Sequence, residues 1–149
     1  MMSFAIRLLR SSDYEQWCQM RAQLWNDVPS AELELETPDW IAGKNCAVFV
    51  AENAAGVLCG FLEVAIRPSD VNGTTGRFGY VEGWYVASTA RRQGIGRSLV
   101  DAAESWSKSQ GCDEIHSDAH IENHVSEAAH RAMGFSEVER LVHFSKRLL

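Results

Sequence analysis

The sequence has no apolar run near the roughly 18–20 residues that a bilayer-crossing helix needs, so a membrane protein is not expected. Its opening stretch, Met-Met-Ser-Phe-Ala-Ile-Arg-Leu-Leu-Arg, alternates like a strand. It lacks the long apolar segment and small-residue cleavage site of a secretory leader, and a cytoplasmic protein is expected. Positive charge is scarce: 14 Lys and Arg stand against 20 Asp and Glu, for a net charge of −6. Nucleic-acid binding relies on clustered Lys and Arg against phosphate, so no nucleic-acid partner is expected. An acidic chain does suit a cationic ligand, which an acidic cleft concentrates. Cys18, Cys46, Cys59 and Cys112 are widely spaced with no CxxC pair, which suits buried, reduced thiols. There is no internal repeat, low-complexity tract or linker. With 149 residues, 46% of them apolar, the chain fits one domain, 1–149.

What is present reads as a mixed α/β chain. Phe4 to Leu9 alternates as a first strand. Ser12 to Glu15 has the S-x-x-E form of a capping box, and Tyr14, Trp17, Arg21, Leu24 and Trp25 follow at helical spacing. A second helical stretch begins near Ser30 and runs through Leu33, and Thr37-Pro38 resembles another helix start. Cys46 to Glu52 and Val57 to Ile66, joined by Asn53-Ala54-Ala55-Gly56, have the signature of a hairpin. Pro68 to Gly76 reads as a loop and Phe78 to Val86 as the next strand. Gly94 to Lys108 predicts an amphipathic helix with Ile95, Leu99, Ala102 and Trp106 on one stripe. Asp113 to Ser117 is a short strand, and Glu122 to Met133 a helix closed by Gly134. Phe135 to Lys146 is expected to be a last β region.

The chemistry is concentrated in Arg91-Arg92-Gln93-Gly94-Ile95-Gly96-Arg97, between a strand and a long helix. Glycines at a helix start let backbone approach a ligand closely. The first-turn N–H groups lack intrahelical partners and carry the positive end of the helix dipole, which suits an anion such as a pyrophosphate. Arg91, Arg92 and Arg97 add charge and hydrogen bonds. A dinucleotide fingerprint would need a third glycine where Leu99 stands, and no G-x-x-x-x-G-K-S/T string exists. His116, His120 and His124 are four apart but span a predicted strand and a predicted helix. No H-E-x-x-H pattern accompanies them, and no metal is expected.

This stretch resembles the R/Q-x-x-G-x-G/A acyl-CoA signature of the GNAT superfamily of N-acetyltransferases. Its setting agrees: strand before, long helix after, then strand, then a helix ending Met133-Gly134-Phe135, with Asn123 near that helix start. Val71-Asn72-Gly73, Val81-Glu82-Gly83-Trp84-Tyr85-Val86, Ser117-Asp118, Gly134-Phe135, Glu139-Arg140 and Leu24-Trp25 resemble strings of the aminoglycoside 6′-N-acetyltransferases. The resemblance implies a single GNAT domain whose mixed sheet of about six to seven strands is flanked by about four helices. It also implies acetyl transfer from acetyl-CoA to the 6′-amine of an aminoglycoside, by direct attack, with antibiotic resistance as the consequence. A homodimer is implied as well. Another cationic amine, such as a polyamine or peptide amine, remains an alternative acceptor. An acyl-CoA-binding sensor remains a non-enzymatic alternative.

For acetyl transfer the acceptor amine must be neutral, and the thioester oxygen needs donors. Glu82 is the leading candidate for positioning the ammonium and passing its proton to water. By alternation it should face the side of Tyr80, Trp84 and Val86. A purely structural reading pairs it with an arginine or puts it at a frayed edge. The resemblance assigns Asp118 to the reacting aminosugar, and adds Glu139, Asp70 and Trp25 as acceptor contacts. Each of these has a plain alternative: helix cap, surface charge, loop residue and core tryptophan, respectively. Backbone of Trp84, Tyr85 and Val86 would run beside the pantetheine arm, with the Val86 amide as donor to the thioester oxygen. Residues Arg91, Arg92, Gln93, Gly94, Ile95, Gly96 and Arg97 would hold the pyrophosphate, and Asn123 the pantetheine. His130 stands where many superfamily members carry a proton-donating tyrosine; it can donate if protonated, or be a helix residue with a satisfied hydrogen bond.

Overall fold

The structure is a computed structural model that describes residues 3–69 and 75–149. It divides into two compact units, Met1–Ser117 and Asp118–Leu149. The first unit contains β1 (Phe4–Leu8), α1 (Tyr14–Leu24), α2 (Ser30–Ala42), β2 (Cys46–Asn53), β3 (Leu58–Ser69), β4 (Thr75–Val86), α3 (Ile95–Ser109) and β5 (Glu114–His116). The second contains α4 (His124–Ala132). The strands form one sheet in the order β1-β2-β3-β4-β5. Neighbours are antiparallel except β4 and β5, which are parallel because α3 crosses between them.

The hairpin between β2 and β3 closes as its turn residues require. The Asn53 side-chain oxygen accepts the amides of Ala55 and Val57, and Gly56 takes φ +80°. Both faces of the sheet are covered. One carries α1 and α2 on a core of Trp17, Met20, Val48, Val50 and Phe61. The other carries α3, whose Ile95 and Leu99 reach the space beside Gly60 and whose Ser107 lies against Gly79. The buried stripe of α3 is Ile95, Leu99, Val100, Ala103 and Ser107. The expected Ala102 and Trp106 fall on its margin, because the i, i+4 row rather than the i, i+3 row faces the sheet.

Three other expectations change. Thr37-Pro38 starts no helix; Pro38 lies inside a single α2. A proline there has no N–H for the Glu34 carbonyl, and the Thr37 hydroxyl donates to that carbonyl instead, at 2.9 Å. The Ser12–Glu15 box does not form: Asp13 precedes α1, and its carboxylate accepts the Arg10 amide and two bonds from Arg7. Those bonds hold the Asp13 carboxyl below the usual range. Finally, residues 135–149 form no strand, so the described sheet has five strands rather than six to seven. Alternation there is real, but a strand needs a ladder partner, and Val138, Leu141, Val142 and Phe144 are all exposed.

A buried charge ties α1 to the sheet. Arg21 on α1 and Glu63 on β3 are each 1% exposed, with Nη1 3.0 Å from Oε2. The Trp17 indole donates to the same oxygen at 3.1 Å, and Glu36 of α2 pairs with the other Arg21 nitrogen, Nη2. Burial pushes the Glu63 carboxyl from 4.5 up to about 7, against the opposing pull of Arg21 and the indole. Between those values the folded state holds a proton that the unfolded chain has lost. This group's contribution therefore declines as pH rises through that window. Arg21→Met is expected to lower unfolding free energy by about 3–5 kcal/mol near neutral pH, since it leaves Glu63 buried without its cation. Denaturant titrations should find a smaller loss at about pH 5 than at about pH 8, because a Glu63 without its cation can take up a proton.

Candidate active site

The site is built on a break in the pairing of β3 with β4. Leu62 pairs with Trp84 and Glu63 with Gly83, but Val64 pairs with Val81, so Glu82 is an extra residue on β4. Such a bulge bends its strand and re-aims side chains. Cross-strand partners share a face. Phe61, Glu63, Ala65 and Arg67 therefore face α1 together with Phe78, Tyr80, Gly83 and Tyr85. Glu82 joins them, as its bond to Arg67 requires. Trp84 and Val86 point to the α3 face instead. The expected grouping of Glu82 with Tyr80 is found, and that with Trp84 and Val86 is not, because the bulge resets the alternation.

On the α1 face Glu82 has an arginine partner, as the structural alternative for it required. Arg67 Nε and Nη2 donate to Oε1 at 2.9 and 2.6 Å, and Nη2 also donates to Oε2 at 2.8 Å. The guanidinium carbon stands 3.5 Å from the centre of the Tyr80 ring. Trp25 follows α1 and lies over Gly83, where an added Cβ would come within 2.7 Å of the indole. Its ring also meets Phe61, and the Arg21 guanidinium stands 5.0 Å from its centre. Trp25 is thus packed in the wall beside Glu82 and remains partly exposed. Glu63 lies on the same face, and the Glu82 charge is among the influences that raise its carboxyl.

The other edge of β4 is open. Among the described residues β5 pairs only with Phe78–Tyr80, so residues 81–86 have no strand beside them on the side away from β3. Ala87 N donates to Cys59 O at 2.8 Å; alternation then turns the Val86 amide away from β3. The Val86 carbonyl points that way too, accepting Arg91 Nε at 3.1 Å. Beyond it, Arg92 takes φ +65° and Gly94 φ +84°, and α3 begins at Ile95. Nothing among the described residues lies within 4 Å of where a Gly94 Cβ would be, so the space beside that residue is open. Gly96 lies against Trp84, 3.3 Å from an added Cβ, so the tryptophan braces the helix start from the strand. Among the described residues Gln93 Oε1 is buried with no hydrogen-bond partner. These residues fit a phosphate-bearing acyl-CoA: an extended arm along an open strand edge, leading to a helix N-terminus rimmed by arginines.

The second unit holds the remaining expected residues. Asn123 caps α4, its side-chain oxygen accepting the Ser126 amide at 3.0 Å. Asp118 and Glu139 are exposed. His130 sits with Nδ1 2.7 Å from the Ser126 carbonyl and its ring edge-on to Phe135, so that nitrogen is occupied within the helix. Asp70 lies outside the described residues. Among the described residues no group of three or more His, Cys, Asp or Glu could hold a metal ion. Sequence reasoning missed Arg67 and Arg21. The available signal was the i, i+2 row Glu63-Ala65-Arg67, which puts both charges of β3 on one face.

Residues 9–135 match the model of the acetyltransferase (GNAT) family. An aminoglycoside N(6′)-acetyltransferase type 1 from Klebsiella aerogenes is 39% identical over 146 residues, 96% of either chain. One from Stenotrophomonas maltophilia is 41% identical over 140 residues, 93% of this chain and 90% of its own. Among solved structures, AAC(6′)-Iy in complex with the bisubstrate analog CoA-S-monomethyl-acetylneamine superposes with TM-score 0.89 at 32% identity. It covers 97% of this chain and 99% of that one. AAC(6′)-Ih from Acinetobacter baumannii gives TM-score 0.88 at 34% identity, covering 98% and 99%. With the family model matched over residues 9–135 and a relative 39% identical across almost the whole chain, the chain belongs to the GNAT family of acetyltransferases.

Proposed function

We propose that the protein transfers acetyl from acetyl-CoA to the 6′-amine of aminoglycosides, by direct attack and without a covalent enzyme intermediate. The observation that carries this reading is the double use of β4: its open edge leads to the Arg91–Gly96 turn, while its bulge directs Glu82 to the α1 face. The full-length likeness to enzymes named for aminoglycosides supports the acceptor class. On this reading 1–149 works as one acetyltransferase domain.

The chemistry follows from the groups available. The acceptor loses its ammonium proton to water with Glu82 as the orienting carboxylate. Its nitrogen lone pair then forms the N–C bond, the C–S bond breaks, the surplus proton on nitrogen leaves to water, and the departing CoA thiolate takes a proton from water. The Val86 amide meets the negative charge that develops on the thioester oxygen. Trp84 to Val86 offer backbone to the pantetheine, and Arg91, Arg92, Gln93, Gly94, Ile95, Gly96 and Arg97 form the pyrophosphate seat. Trp25 walls the acceptor side. The roles of Asp118 and Glu139 as acceptor contacts, and of Asn123 as a pantetheine contact, rest on family resemblance, as does that of Asp70. The four free thiols suit a cytoplasmic location. Val138, Leu141, Val142 and Phe144 offer apolar side chains for a homodimer contact.

Thiol release from acetyl-CoA should be detected with kanamycin and not with its 6′-hydroxyl analogue. Turnover of spermidine or a lysine peptide, but not kanamycin, would move the acceptor to another polycation; tight CoA binding with no turnover would mark a sensor. Glu82→Gln should lower kcat by about a hundredfold while CoA affinity stays within about twofold of the parent. Unchanged turnover would remove Glu82 from the mechanism. Light scattering on a sizing column should give twice the monomer mass, and Phe144→Glu should shift it toward monomer. A monomeric parent would rule out the dimer.

A further inference from the structure

The pairing of Glu82 with Arg67 changes what that carboxylate can do. A lone carboxylate beside an amine favours the ammonium, because an opposite charge stabilises the charged form. Acetyl transfer needs the reverse, since only the neutral amine has a lone pair. Arg67 and Glu82 together carry no net charge. The pair can orient an amine through a hydrogen bond without holding its proton.

Its geometry suits that task. Among the described residues Oε1 accepts from both Nε and Nη2 of Arg67, whereas Oε2 accepts one bond. A carboxylate oxygen has room for about two acceptor interactions, so Oε2 is the one with capacity toward an amine N–H. The guanidinium is fixed from two sides, by this fork and by the face of Tyr80. Tyr80 is itself a core residue, 4% exposed, so the stacking platform is rigid. A flexible surface ion pair contributes little, but bidentate geometry with stacking sets a direction. Because Glu82 is the extra residue of the bulge, no cross-strand neighbour aims it; Arg67 supplies the aim.

We propose that the acceptor seat is the Arg67–Glu82 pair rather than Glu82 alone, and that Arg67 is a positioning residue which directs Oε2 and cancels the charge that would retain the acceptor as its ammonium. This rests on the acetyltransferase reading above. Other charges on this face, among the described residues, belong to Glu63 on β3, to Arg21 on α1 and Glu36 on α2, to Asp39 and Lys44, which line a cavity with Ala65, and to Glu114 with His116 on β5. Among the described residues Tyr80 and Tyr85 are further titratable side chains on this face of β4.

The test uses the full chain at saturating acetyl-CoA, with kcat and acceptor KM measured between about pH 6 and pH 9. Kanamycin is the acceptor, or spermidine if that is what the parent turns over. Arg67→Met should lower kcat near pH 7 by about tenfold, with KM unchanged or lower. Its acid limb should move up by about one unit, the shift that a tenfold smaller neutral fraction produces. Arg67→Lys should keep the limb near its parental position, because it restores the charge without the fork. Adding Arg67→Met to Glu82→Gln should cause no further loss, since the two act as one unit. An unchanged kcat, a raised KM with the limb in place, or full additivity of the two changes would each overturn the proposal. Thermal midpoints separate these effects from misfolding, and Arg67→Lys with the double variant decides if Arg67→Met does not fold. Absence of any parental turnover would instead count against the acetyltransferase reading.

Discussion

One extra residue in β4 sets the geometry on which the rest depends. Val81 and Gly83 each find a partner on β3, and Glu82 between them does not. Before the bulge Tyr80 faces α1; after it Trp84 faces α3. A regular strand would have turned Trp84 toward α1 and taken it away from Gly96, where it now braces the start of α3. It would also have given Glu82 a fixed cross-strand neighbour. The bulge lets one strand serve two neighbourhoods, a charged one on the α1 face and an anion-seeking one at its end.

The charged neighbourhood is an alternating array. Arg21 and Glu63 form a buried pair that the exposed Glu36 extends outward, and Glu82 with Arg67 continues the same face. The first group is structural: it fixes α1, and through Trp25 it fixes the wall over Gly83. The second is partly exposed, with side chains 40% and 28% accessible for Arg67 and Glu82. Burial separates their roles. Charges withdrawn from water hold helices to the sheet, and charges left at its surface remain available to a ligand.

Most of this framework was legible in the sequence. The Asn53–Gly56 turn and the helix start at Gly94–Ile95 each carry local chemistry that names its own conformation. Glu82 stood out as a carboxylate in an apolar strand. The register was not legible: a bulge leaves no mark in the alternation of one strand, since it is defined against another. Arg67 escaped notice, and Arg21 was read only as part of a helical stripe, because their partners lie 15 and 42 positions away. The final segment misled for the opposite reason. Its alternation permits a strand but cannot supply a neighbour for it.

The open edge of β4 bears on how the protein survives in a cell. Unpaired strand backbone is a template for another chain, and proteins commonly blunt it with charge, proline or a covering element. From residue 81 to 86 the edge carries no proline and, apart from Glu82, no charge. An extended amide-bearing arm laid along it would satisfy the same groups that a foreign strand would seek. On the proposed function, a bound coenzyme would therefore shield this margin from other strands as well as serve turnover.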